Sequence, residues 1–173
     1  AVLGTSTILE SSDDEVIKAL FIAGLIGVFI ARGSTFAAEE AGCMAECGSG
    51  ASMSAAALTF LGGGSLEQSL GAASMALQAS LGMICDPIGN RVEAPCLGKN
   101  VLAATNAVSC ANMALAEYQH LIPLDEVIEA MDKVGKAMPH EHCCTGLGGL
   151  AATPSARKIE EALEDSPAPV EQR

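Results

Sequence analysis

The stretch Pro123-Leu124-Asp125-Glu126-Val127-Ile128-Glu129-Ala130-Met131-Asp132-Lys133-Val134-Gly135-Lys136-Ala137-Met138 decides the fold class. Leu124, Val127, Ile128, Met131, Val134 and Met138 recur at the three- and four-residue steps of an α-helix, with Asp, Glu and Lys between them. Pro123 opens the segment and Pro139 closes it. Working outward, Thr153-Pro154 reads as an N-cap with proline at the first helical position, opening a last helix to about Asp165. Upstream, an Ala-rich helix is expected from about Leu97 to Tyr118. Ser65-Leu66-Glu67-Gln68 and Ser12-Asp13-Asp14-Glu15 are capping boxes, in which the serine hydroxyl serves an amide of the first turn and the fourth residue reaches back. The helices they open are expected to run to about Gly82 and Ala31.

Between these segments stand Gly62-Gly63-Gly64, the turn Asp86-Pro87-Ile88-Gly89-Asn90 and Gly146-Leu147-Gly148-Gly149. No run alternates with a period of two. The expectation is an all-α, single compact helical domain with glycine-rich loops, spanning residues 1–165, and a flexible tail over residues 166–173.

Composition narrows the function. Half of the 173 residues are hydrophobic but only 3% are aromatic, so the core must be built from Ala, Leu, Ile, Val and Met. A net charge of −12 argues against nucleic-acid binding, which needs a basic surface. The most apolar run, Ala19 to Ala31, has 13 residues against roughly 20 needed to span a bilayer, and reads as a buried core helix rather than a membrane segment. No charged leader with a cleavage site is visible, and seven cysteines is an odd count. Both point to a cytoplasmic chain whose cysteines are ligands, reactive thiols or core residues.

Three cysteines sit where the helical pattern breaks. Cys43 lies in Gly42-Cys43-Met44-Ala45-Glu46-Cys47-Gly48-Ser49-Gly50, read as a glycine-rich turn; Cys85 and Cys96 bracket the Pro/Gly turn. Helix N-termini near Cys43 and Cys96 would favour thiolate over thiol. The separations of 42 and 11 residues are unlike the compact pairs of zinc sites and ferredoxins, so spacing alone favours plain buried cysteines.

Longer motifs add to this. Gly42-Cys43-Met44-Ala45-Glu46-Cys47-Gly48-Ser49, Cys85-Asp86-Pro87-Ile88, Glu93-Ala94-Pro95-Cys96-Leu97-Gly98-Lys99-Asn100, Ile122-Pro123-Leu124-Asp125-Glu126-Val127 and Thr145-Gly146-Leu147-Gly148-Gly149-Leu150-Ala151-Ala152-Thr153-Pro154 occur in one order. Together they resemble the α subunit or α domain of the iron–sulfur L-serine dehydratases (L-serine ammonia-lyases). The resemblance implies an all-helical domain carrying a [4Fe–4S] cluster on Cys43, Cys85 and Cys96, with the fourth iron open to substrate. It also implies elimination from L-serine to aminoacrylate and then pyruvate and ammonia, an activity of amino-acid degradation and gluconeogenesis, with no pyridoxal phosphate. It further implies a β domain or subunit as partner, and a homo- or hetero-oligomer. The family carries more sequence upstream, so this chain reads as an N-terminally truncated fragment whose activity alone is in question.

Lys99 and Asn100 follow Cys96 by one turn, and are candidates to bind the serine carboxylate or to steady the negative charge of the cluster. Glu46 is a candidate base or orienting group, and Cys47 shares a helical face with Cys43. His140-Glu141-His142-Cys143-Cys144 departs from the Arg-Glu pair that related sequences carry at Cys143-Cys144, and reads as a second metal site, as a thiol supplying the fourth iron ligand in the resting state, or as a loop near the active site. His120 reads as a helix-end residue and Cys110 as core. Two rival functions stand beside the dehydratase: a related lyase such as an L-cysteine desulfidase, and a non-catalytic helical interaction module with core cysteines.

Overall fold

A computed structural model describes residues 1–164. The expected tail from Ser166, and Asp165, lie outside the described residues. Eight α-helices follow one another: α1 (Val2–Ile8), α2 (Asp13–Gly33), α3 (Ala38–Cys43), α4 (Ser49–Leu61), α5 (Leu66–Gln78), α6 (Cys96–Leu115), α7 (Leu124–Ala137) and α8 (Pro154–Glu164). A π-helical turn, Met44–Gly48, joins α3 to α4. No strand forms among the described residues; two isolated bridges are the only extended pairings there. The all-α class is confirmed.

Both capping boxes form. Ser12 accepts from the Glu15 amide while the Glu15 carboxylate accepts from the Ser12 amide at 2.8 Å. Ser65 and Gln68 do the same at α5. Ser12→Ala is expected to cost about 1 kcal/mol, typical of a lost N-cap. Thermal or urea unfolding of the variant checks this, and an unchanged midpoint would show that α2 is held by packing alone.

The centre of the molecule is α4, which packs on α2, α5 and α6. Ala55, Ala56 and Ala57 of α4, Ala72, Ala73 and Ala76 of α5, and Ala107 of α6 are wholly buried. With methyl groups at these contacts, backbones approach closely enough for side chains to bond across them. Ser52 Oγ donates to the Ala73 carbonyl at 2.9 Å, and Asn106 Nδ2 donates to the Ala76 carbonyl at 2.8 Å. A second cluster holds the larger residues: Ile26 and Ile30 of α2, Met44, Leu77, and Leu124, Val127, Ile128 and Met131 of α7. The expected stripe of α7 is therefore its buried face, except Val134, which is 37% exposed. Gly135 lies inside instead, where a Cβ would come 2.6 Å from the Ala41 Cβ.

Three local expectations change. α5 ends at Gln78 rather than near Gly82, because residues 79–83 form tight turns and Gly82 takes φ +82°. The segment 43–50 is helical, not a loop; the break is confined to Ala41 and Gly42. α2 is not a fully buried core helix. Ala19, Ala23, Ile26, Gly27 and Ile30 face the core, while Ile17, Phe21, Leu25 and Val28 are more than half exposed. At 21 residues it is the one described helix long and apolar enough to cross a membrane by length and composition.

Candidate metal centre

Gly42 sets the first thiol. Its backbone, at φ +66° and ψ −175°, lies in a region essentially reserved for glycine. A Cβ there would come 2.6 Å from the Met83 carbonyl oxygen and 2.7 Å from the Met138 sulfur. The turn swings Cys43 inward, and the Met44 amide donates to the Met83 carbonyl at 3.0 Å, fastening this corner to the segment that leads to Cys85.

Cys85 is fixed by the loop after α7. Its amide donates to the His142 carbonyl at 2.8 Å, and its carbonyl accepts from the Cys144 amide at 2.9 Å. The His140–Cys144 run is thus a loop against the thiol site. Neither its two cysteines nor its histidines join the metal-competent group, and Cys144 packs against the cysteine cluster. Cys96 is the first residue of α6.

These elements bring the three sulfurs of Cys43, Cys85 and Cys96 within 4.8 Å of one another. All three residues are buried, with Cys43 fully so, and Cys47 and Ala38 complete the cluster. Among the described residues this is the one group of three or more Cys, His, Asp or Glu side chains placed to share a metal.

Burial dominates the electrostatics. It pushes the Cys43 thiol up to about 12, against a hydrogen bond with Cys85 and the Lys99 ammonium, which pull the other way. Burial also raises the Cys85 and Cys47 thiols. The expectation that a helix N-terminus favours the Cys43 thiolate is therefore corrected: Cys43 ends α3, and burial favours its thiol. A metal binds the thiolate and must expel that proton, so binding strengthens as pH rises.

Lys99 stands over the triad. Its Nζ donates to the Ile84 carbonyl at 2.7 Å, forms a very short contact with Asp86 Oδ1, and lies 3.9 Å from Cys43 Sγ. Burial lowers its pKa, but Asp86 and the cysteines outweigh it and leave the ammonium favoured. Asn100 is exposed and donates to the Cys96 carbonyl at 3.0 Å. Glu46, exposed, lines a cavity of about 240 Å³ with Cys47 and Asn100.

Some residues fall elsewhere. His120 packs on Gly71 and lines a separate cavity of about 580 Å³ between α2 and α7. Cys110 is buried in the alanine core, its thiol donating to Asn106 Oδ1 at 3.4 Å. The sequence reading missed Asp86, which is 2% exposed and accepts from the Leu150 amide at 2.8 Å. It stood in the sequence as a turn residue before proline, and only its burial opposite Lys99 marks it.

Comparison with known proteins gives a consistent answer. A family model described as "Serine dehydratase alpha chain" matches residues 1–151. The "Probable L-serine dehydratase, alpha chain" of Bacillus subtilis (strain 168) is 43% identical over 155 residues, covering 90% of this chain and 52% of that protein. The protein of the same description from Latilactobacillus sakei is 44% identical over 147 residues, 85% of this chain and 70% of its own length. The "L-serine dehydratase, alpha chain" of Peptoniphilus asaccharolyticus is 42% identical over 160 residues, covering 92% and 55%. The chain thus spans about half the length of the first and third of these relatives.

Proposed function

Because this chain belongs to the serine dehydratase α-chain family, we propose that it is the cluster-bearing part of an enzyme that deaminates L-serine to pyruvate and ammonia. The convergence of Cys43, Cys85 and Cys96 carries the reading. Three separate motifs, the first of them 42 residues before the second, place buried sulfurs around one point, with no carboxylate or imidazole among them. Such a soft, all-thiol donor set suits an iron–sulfur group, and three protein sulfurs would leave one position of a [4Fe–4S] cluster for another ligand. When bound, that cluster supplies a Lewis acid at which the serine hydroxyl can depart.

The chain's own residues do the rest of what can be assigned. The three cysteines hold the group, and Gly42 and the His142–Cys144 backbone hold two of the cysteines. The nearby cavity lined by Glu46, Cys47 and Asn100 is the approach we assign to substrate. Asn100, exposed on that wall, is a candidate for the serine carboxylate. Lys99, the other residue that the motif offers for this role, has its ammonium surrounded by Asp86, Ile84 and Cys43 and would have to leave them to reach the carboxylate. The α-proton needs a base, and Glu46 is the acid side chain on this wall. We further propose a β domain or subunit as the partner that completes the site, in an oligomeric enzyme of the cytoplasm.

Anaerobic reconstitution followed by iron and acid-labile sulfide analysis tests the reading. About four of each per chain, with the broad brown absorbance of such clusters, is the expected result. Serine turnover measured with the β partner, beside sulfide release from cysteine, then separates the dehydratase from a desulfidase. A folded protein that takes up no iron overturns the cluster assignment.

A further inference from the structure

Lys99 and Asp86 form an arrangement that holding the triad does not require. An ammonium has three N–H donors. Those of Lys99 meet three acceptors: the Ile84 carbonyl, Asp86 Oδ1 and Cys43 Sγ. Asp86 turns its other oxygen to the Leu150 amide. One carboxylate therefore joins α6 to the loop that precedes α8. Gly149 makes room for it, at φ +59°, since a Cβ there would fall 2.5 Å from Asp86 Oδ2. Both side chains are withdrawn from water, Asp86 at 3% and Lys99 at 16% exposure. A cation this enclosed, with every donor occupied, is fixed in place. It would have to break the Asp86 pair to reach a substrate.

We propose that Asp86 is a positioning residue that aims the Lys99 ammonium at the Cys43 sulfur, so that Lys99 balances the charge of the group on the triad instead of gripping the substrate carboxylate. The inference rests on the cluster reading above. A positive charge and an N–H donor beside a ligand sulfur stabilise the more negative, reduced state of an iron–sulfur group. Removing them shifts its midpoint potential downward. If Asp86 acts by aiming Lys99, its substitution has one effect when Lys99 is present and a different one when it is not.

The experiment is a redox titration followed by electron paramagnetic resonance on the reconstituted full-length enzyme. It compares wild type, Lys99→Met, Lys99→Arg, Asp86→Asn, and Asp86→Asn combined with Lys99→Met, with serine kinetics on each. Iron content of the wild type is measured first. The midpoint is read from loaded protein only, so a variant that folds poorly loses signal without moving it. We expect Lys99→Met to shift the midpoint to more negative potential and Lys99→Arg to restore most of it. The two single shifts should not add in the double variant. The serine KM of Lys99→Met should stay within about threefold of wild type, as for a group that does not bind the ground-state substrate. An unmoved midpoint in Lys99→Met, or additive shifts, overturns the proposal. So does a KM raised about tenfold or more with the midpoint unmoved, which would return Lys99 to the carboxylate. A wild type that holds no iron removes the parent reading and this inference together, and the first measurement identifies that case.

Discussion

Replacing Cys43, Cys85 or Cys96 singly with alanine is expected to abolish stable four-iron content, and serine turnover by the proposed assembled enzyme is expected to fall with it. Each sulfur comes from a different segment, and no fourth buried thiol shares the point they enclose. Cys47 is the nearest substitute in sequence, but it lies outside the group of three sulfurs that approach within 4.8 Å. Loss of an outer partner of a metal ligand typically costs 10- to 100-fold in affinity or activity, so loss of a ligand itself should exceed about 100-fold. Iron and sulfide per chain, with circular dichroism to verify the fold, are the measurements. Cys110→Ala serves as the control, because Cys110 of α6 sits in the alanine core that α6 shares with α4 and α5. It should keep its iron. If one of the three variants retained four irons, that cysteine would leave the ligand set.

Gly42→Ala should destabilise the protein by about 2–4 kcal/mol. Two costs add. A non-glycine residue in this backbone region is strained by about 1–3 kcal/mol, and forcing a methyl into packed surroundings costs about 1–3 kcal/mol. The stiffer unfolded chain of the alanine variant gives back about 0.4–1 kcal/mol. The methyl would meet the Met83 carbonyl and the Met138 sulfur, and the backbone oxygen has little room to yield. For a chain of this size the melting temperature should fall by roughly 5–15 °C. The same substitution at Gly50 makes the contrast. That glycine lies in α4 with nothing within 4 Å of a Cβ, so alanine there should stabilise by about 0.5–1 kcal/mol. Paired melting curves decide the matter: equal midpoints for the two variants would show that the Gly42 turn is not strained against alanine. Because the turn aims Cys43, Gly42→Ala should also lower iron loading at temperatures where the protein is still folded.

Much of the scaffold was legible because its signals are local. A capping box needs four residues, and both were read correctly at Ser12 and Ser65. The period of Leu124, Val127, Ile128 and Met131 needs one helix, and those residues do face the core. The reading failed where glycine has two meanings. Gly48 and Gly50 suggested a loop, yet both are helical, and position 48 needs glycine because Ser80 packs where a side chain would be. At Gly42 the same residue type does break the helix. Composition could not separate these cases, since the difference lies in which neighbour stands beside the missing Cβ. The α2 helix was misjudged for a related reason. Its apolar residues surround the helix, so only the positions of α4 and α7 determine which of them are covered.

The sequence by itself determined the all-α class, the main helices and their caps, and, through long ordered motifs, the family; the same motifs nominated the three cysteines. These depend on residues near one another in the chain, or on resemblance along it. Only the tertiary structure decided that the three sulfurs meet, that burial pushes the Cys43 thiol up, and that Asp86 pairs with Lys99 while holding the Leu150 amide. Each of these depends on distances between segments that do not adjoin in the chain, 13 residues apart for Asp86 and Lys99 and 64 for Asp86 and Leu150, and on how much water the packing of α3, α6 and the Cys143 loop excludes.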